Sequence, residues 1–204
     1  MEQSRTAHIE RNTKETQIDL TLNIDGKAEY ENTALHKATR RLNVEAASLL
    51  LEHEANPKLF KFVHKTPLHI AAVGGHVEMV NLYLEIPNIA GLVGDDNLTA
   101  LEHALQVRQY DTAELLIEKG ANINRIQPRG DTMLHGTITG LDYRTARFLI
   151  RAGADVNIPN SEGVTTYDLL RRKQLTGLID LIEIRDNPDA VTNSVESASN
   201  AGSQ

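Results

Sequence analysis

"TPLHIAAVGGHVEMVNLYL", Thr66 to Leu84, carries two histidines, His69 and His76, seven residues apart. Seven residues make about two helical turns, so one unbroken helix would set both rings on the same face. That is the layout of a metal site or an acid–base pair. Gly74 and Gly75 lie between the two rings, however, and a glycine pair breaks such a helix. The rest of the chain decides between chemistry and architecture. "TPLHIA" (66–71) returns as "TALHKA" at 33–38, "TALEHA" at 99–104, "TMLHGT" at 132–137 and, faintly, "TTYDLL" at 165–170. Thr33, Thr66, Thr99, Thr132 and Thr165 are each 33 residues apart. Leu35, Leu68, Leu101 and Leu134 keep the same phase, as do Ala47, Val80, Ala113 and Ala146. A fixed period of this length is the mark of a repeat protein, whose units bury their apolar stripes only against one another.

Each unit reads as helix, turn, helix and extended loop. The threonine is a good N-cap because its hydroxyl can accept from a free backbone N–H of the first turn. Pro67 follows at the first helical position, where a missing N–H costs nothing. "DTAELLIEKG" (111–120) has apolar residues at helical spacing, and Gly120 and Gly153 suit left-handed C-terminal caps.

Composition removes several classes of function. The 204 residues are 40% hydrophobic, enough for a core, and only 4% aromatic. There is no cysteine, which excludes disulfides, thiolate zinc sites and a cysteine nucleophile. A net charge of −7 argues against nucleic acid or an anionic membrane as partner. "MEQSRTAHIERNTKETQ" (1–17) has no apolar run of a secretory signal, and no stretch approaches the ~20 apolar residues of a membrane span. The expectation is a soluble, cytoplasmic protein. No P-loop, G-x-S-x-G or H-E-x-x-H motif occurs. Asp25, Asp155 and the histidines are the acid–base candidates, and all fall on repeat positions.

The period, "TPLHIAAVGGHVEMVNLYL" and "GADVN" (153–157) together resemble the ankyrin repeat family. The resemblance covers about residues 30–185 and implies an all-α solenoid of about five 33-residue helix–turn–helix units with β-hairpin fingers. The units fall at about 30–62, 63–95, 96–128, 129–161 and 162–185. It implies structural histidines: His36, His69 and His135 hold the position whose imidazole bonds across turns and to the neighbouring unit. Glu102 holds that position in the third unit and Asp168 in the fifth. It implies no catalysis, no cofactor and no metal, and a monomer that binds another protein. On the family frame Lys37, Arg40, Arg41, Ile70, Val73, His103 and Gln106 face an inner groove. Phe60, Phe62, His64, Asp95 and Asp96 lie at the finger tips beside it. Asn157, with Leu149, Asp155 and Val156, resembles the pattern of the asparaginyl hydroxylase that modifies ankyrin proteins. Asn124 has Leu116 but lacks the acidic residue.

The ends depart from the pattern, as the polar outer faces of terminal units require. Residues 1–16 lack periodicity and are expected to be flexible. Residues 17–29 read as a partial N-terminal cap, with "QIDL" (17–20) as the last turn of a helix. The fifth unit reads as the C-terminal cap, its Arg171, Arg172 and Lys173 either solvating or binding. Residues 186–204, "DNPDAVTNSVESASNAGSQ", read as a disordered tail. Such a tail is either bland or the secretion signal of an ankyrin effector that an intracellular bacterium delivers into a host cell. Charge is divided: residues 30–65 carry a net +2 and residues 66–127 a net −5, so a groove changing sign along its length is expected.

Overall fold

The computed structural model describes residues 6–13, 16–23, 33–60 and 65–187, with the backbone path alone for the first two segments. The chain forms two compact units that divide between Ala121 and Asn122. The first holds an antiparallel pair, β1 (Thr6–Thr13) and β2 (Thr16–Asn23), then α1 (Ala34–Arg40), α2 (Val44–Glu52), α3 (Pro67–Gly74), α4 (Val77–Leu84), α5 (Ala100–Gln106) and α6 (Tyr110–Glu118). The second holds α7 (Met133–Thr139), α8 (Tyr143–Arg151), α9 (Thr166–Arg172) and α10 (Thr176–Asp186). First helices and second helices each start at intervals of 33 residues. In the first unit α1, α3 and α5 pack side by side as one layer, and α2, α4 and α6 as another. In the second unit α7 packs on α9 and α8 on α10. Fingers close between Val93 and Thr99, Ile126 and Thr132, and Pro159 and Thr165.

The strand pair corrects the reading of the N-terminus. Gln17–Leu20 is extended, pairing Leu20 with Ile9 and Ile18 with Arg11, and is not a helical turn. Residues 6–13 likewise have a place as a strand rather than a loose segment. The cause is legible: Ile18, Leu20 and Leu22 alternate with Gln17, Asp19 and Thr21, a period of two. Of the tail read at 186–204, Asp186 is the last residue of α10, and residues 188–204 lie outside the described residues, as does Asp25.

Thr33, Thr99, Thr132 and Thr165 each cap a first helix, accepting from the backbone N–H three residues on. The first unit's core is built from Leu35, Leu50, Leu68, Met79, Tyr83 and Leu116, all at most 2% exposed. Ala71, Ala72, Ala104 and Ala113 are fully buried and let the layers approach closely. Among the described residues Tyr83 is the one large aromatic at full burial, and its phenol meets Thr39 Oγ1 at 2.5 Å. Thr39 gives its proton to the Leu35 carbonyl (2.7 Å), so Tyr83 must be the donor of that pair.

The turn between paired helices needs a left-handed residue in every repeat: Leu42, Gly75, Arg108, Leu141 and Gln174, with φ from 55° to 70°. Glycine does this without steric cost; other residues lose about 1–2 kcal/mol. At the finger turn Gly130 (φ +88°) has a second constraint, since a Cβ there would stand 2.8 Å from the Ser161 nitrogen. Gly130→Ala is expected to cost at least ~1 kcal/mol. Leu141→Gly, at a site 61% exposed, should gain about 0.5 kcal/mol, strain relief outweighing the added chain entropy. Equilibrium urea unfolding measures both; a stability loss in the second variant would show that Leu141 packs in solution.

Candidate partner-binding surface

The exposed side of the first-helix layer is made by the positions that the packing leaves over. Lys37 and Arg40 end α1 with Arg41 behind them, and all three are exposed. Ile70 and Val73 on α3 are half-buried, and Gln106 at the end of α5 is exposed. Asp95 and Asp96 are exposed on the finger that precedes Thr99. Phe60 leaves 39% of its surface exposed while its ring tilts against His69, with centroids 6.5 Å apart. Phe62 and His64 lie outside the described residues.

His103 does not face a groove. It is 4% exposed, its ring edge-on to His69 with centroids 5.6 Å apart. Nε2 stands 3.1 Å from the Asp96 carboxylate, close enough for an ion pair though off the line of a hydrogen bond. Lys65 Nζ approaches Nδ1 at 3.5 Å. An ammonium only donates and a carboxylate only accepts, so the ring carries its proton on Nε2. His103 therefore joins α5 to the finger and to Lys65, where the family frame implied a place facing the inner groove.

The motif histidines are structural. His36, His69 and His135 are fully buried. Each Nε2 meets a main-chain carbonyl 29 residues on: Lys65 at 2.9 Å, Leu98 at 3.2 Å and Val164 at 3.1 Å. A carbonyl only accepts, so Nε2 holds the hydrogen and Nδ1 is left to accept from the capping threonine hydroxyl, at 2.6, 2.7 and 2.8 Å. Among the described residues no group of three or more His, Asp or Glu is placed to hold a metal ion, and no helix is long and apolar enough to cross a membrane.

Lys65 and Val107 escape sequence inspection. Lys65 precedes the capping Thr66 at the position that supplies the accepting carbonyl, a signal available from the phase alone. Val107 is 47% exposed in the turn after α5. The charges of the first unit's helices also divide by layer, while on the first-helix face exposed Asp95 and Asp96 follow the cations of the first repeat. Of the acidic residues in 66–127, Glu78, Asp111, Glu114 and Glu118 are exposed on the second-helix layer, whereas Glu102 is buried at the Thr99 cap. The sign thus differs between α1 and the second-helix layer as well. A cleft of about 450 Å³ lies beside the second unit of the repeat series, lined by Leu84, Ile86, Pro87, Ile89 and Lys119. Lys119 there is drawn to Glu85 at 3.4 Å.

The family model for ankyrin repeats in three copies matches residues 11–92 and 61–127, more than half of the chain, which belongs to the ankyrin repeat family. Ankyrin repeats are protein-interaction modules, and the family is generally non-catalytic. The chain is 32% identical over 114 residues to the human transient receptor potential cation channel subfamily A member 1, covering 55% of this chain and 10% of that protein. It is 30% identical over 116 residues to an ankyrin repeat protein of fowlpox virus, covering 54% of this chain and 26% of the relative. Likeness to an ankyrin repeat protein of Rickettsia bellii is 28% over 122 residues, covering 57% and 35%. The chain thus spans from a tenth to about a third of the length of these relatives.

Burial pushes the His69 imidazole down to about 4, with the nearby His103 adding to the shift. Burial and then Lys65 also lower His103. An unfolded histidine titrates near 6.5, so as the pH falls the unfolded chain takes up the proton first. The stability that neutral His69 contributes is whole above about pH 6.5 and is lost as the pH falls towards 4, by about 3 kcal/mol for the cited shift. Urea midpoints from pH 7.5 to 4 check the loss, and the His69 ring resonance should titrate near pH 4. A ring midpoint near 6.5 would mean that His69 meets water.

Proposed function

We propose that this chain is a non-catalytic adaptor or regulatory scaffold that seats a partner protein on its first-helix face and fingers. One observation carries the reading: Ile70 and Val73, apolar and only half-buried in the middle of that layer, expose surface that the core does not use. Apolar groups ringed by charge are the usual make-up of a binding hot spot. Such a module works in the cytoplasm as a monomer, without nucleic acid or membrane as partner. A second reading is a translocated ankyrin-repeat effector of an intracellular bacterium acting on a host protein. The Rickettsia bellii relative favours it.

A photo-cross-linking residue placed at Ile70 should capture the partner, and one placed at Glu114 on the other layer should not. Ile70→Glu should weaken binding by ~1–3 kcal/mol with little change in the thermal midpoint. Capture from Glu114 alone would move the site to the second-helix layer.

Asn157 remains a hydroxylation candidate. Its side chain is exposed, whereas Asn124 Oδ1 is held by the Asp155 N–H at 2.9 Å. With the ankyrin asparaginyl hydroxylase, iron and 2-oxoglutarate, mass spectrometry should find one added oxygen on Asn157 and none on Asn124. An unmodified Asn157 would remove the idea.

A further inference from the structure

The first unit separates its charges by layer. Neither α1 nor α3 contains a carboxylate, and the single one in α5, Glu102, is 4% exposed and accepts from the Thr99 N–H at 2.7 Å. On the neighbouring finger Asp96 is drawn to His103, and Asp95 beside it is exposed, so the positive part of the face is its α1 end. Against this, Lys37, Arg40 and Arg41 are exposed at the end of α1. Ile70, Val73 and Val107 supply apolar surface on the adjoining repeats. The opposite layer reverses the sign: α2, α4 and α6 contain no lysine or arginine, and Glu78, Asp111, Glu114 and Glu118 are exposed on them.

From this arrangement we propose that the first-helix face of the first unit docks an acidic segment of a partner protein, with apolar side chains at the segment's centre. The inference rests on the interaction-module reading and adds the partner's chemistry. The cations of the first repeat meet the segment's carboxylates, and Ile70 and Val73 take its apolar residues. The acidic second layer repels the same segment, so the field admits it from one side and fixes its orientation. A basic segment would meet the reverse: repulsion at α1 and attraction to helices that offer it only solvated carboxylates.

Two fluorescein-labelled twelve-residue peptides test this on the full chain: one of Asp and Glu with interspersed Leu and Phe, the other with Lys in place of every acidic residue. Anisotropy should show binding of the acidic peptide, weakening as salt rises. Backbone amide shifts should fall on α1 and α3. Lys37→Glu and Arg41→Glu should each weaken it about tenfold, while Lys173→Glu, in the second unit, should leave it unchanged. Tighter binding of the basic peptide, shifts confined to α2, α4 and α6, or no binding of either peptide at millimolar concentration would each overturn the proposal. If position 70 still cross-links a partner in those cases, the chemistry assigned to the partner is wrong and the interaction module stands. If position 70 captures nothing, the module reading fails with it.

Discussion

One hydrogen-bond relay underlies the repeat: threonine hydroxyl to histidine Nδ1, and histidine Nε2–H to a carbonyl 29 residues further along. The first link sets where a first helix begins. The second ties that helix to the base of the next finger. Buried polar groups of this kind must be fully paired, and here both ring nitrogens are. The relay works only with a neutral ring, because a protonated Nδ1 could no longer accept. The depressed pKa of His69 is the same requirement seen from the solvent side: burial that makes the relay strong also makes the cation unwelcome.

Where the histidine is replaced, half of the relay survives. Glu102 Oε2 accepts from the Thr99 N–H and hydroxyl at 2.7 and 3.1 Å, and Asp168 Oδ2 accepts from Thr165 at 3.1 and 2.7 Å. The hydrogen bonds from Thr165 hold the Asp168 carboxyl below its ordinary range. A carboxylate caps as well as an imidazole does, but it has no hydrogen to pass to a carbonyl. In the third repeat a second histidine, His103, is buried one position later and joined to Asp96 and Lys65 instead.

Helix positions, caps and the structural role of the histidines were legible because a 33-residue period repeats local physics that needs no tertiary information. Gly120 and Gly153 take the left-handed backbone their place implies, with φ of 91° and 90°. What was not legible depends on contacts. Leu42 and Leu141 give no sign of a left-handed turn, since only the repeat geometry forces them into it. The burial of His103 depends on Lys65 and Asp96, which lie 38 residues before it and seven before it in the chain. Charge summed along the chain pointed to a change from repeat to repeat, and only the helix layers reveal that α2, α4 and α6 are acidic where the exposed charges of α1 are basic, whereas in the fourth repeat the second helix, α8, carries three arginines. The N-terminal strands were not legible because "QIDL" (17–20), four residues long, fits the last turn of a helix as readily as a two-residue alternation.

Local helix physics accounts for part of that division of charge and leaves the rest for function. First helices end, and second helices begin, at the same turn. Cations at the one terminus and anions at the other each gain ~0.3–1 kcal/mol from the helix dipole. Arg40 at the end of α1 and Glu45, Glu78 and Asp111 in the first turns of α2, α4 and α6 satisfy that rule. Glu52 and Glu118 violate it, standing in the last turns of α2 and α6 where a cation would be favoured. The dipole equally fails to explain why α1 and α9 each end in a group of three exposed cations while α3 and α7 end with none. Charges that follow the dipole would be retained for stability alone. Those that oppose it cost a little stability, and what they add is the field between the two layers. A surface whose polarity is maintained against its own helices is one on which a partner's orientation can depend.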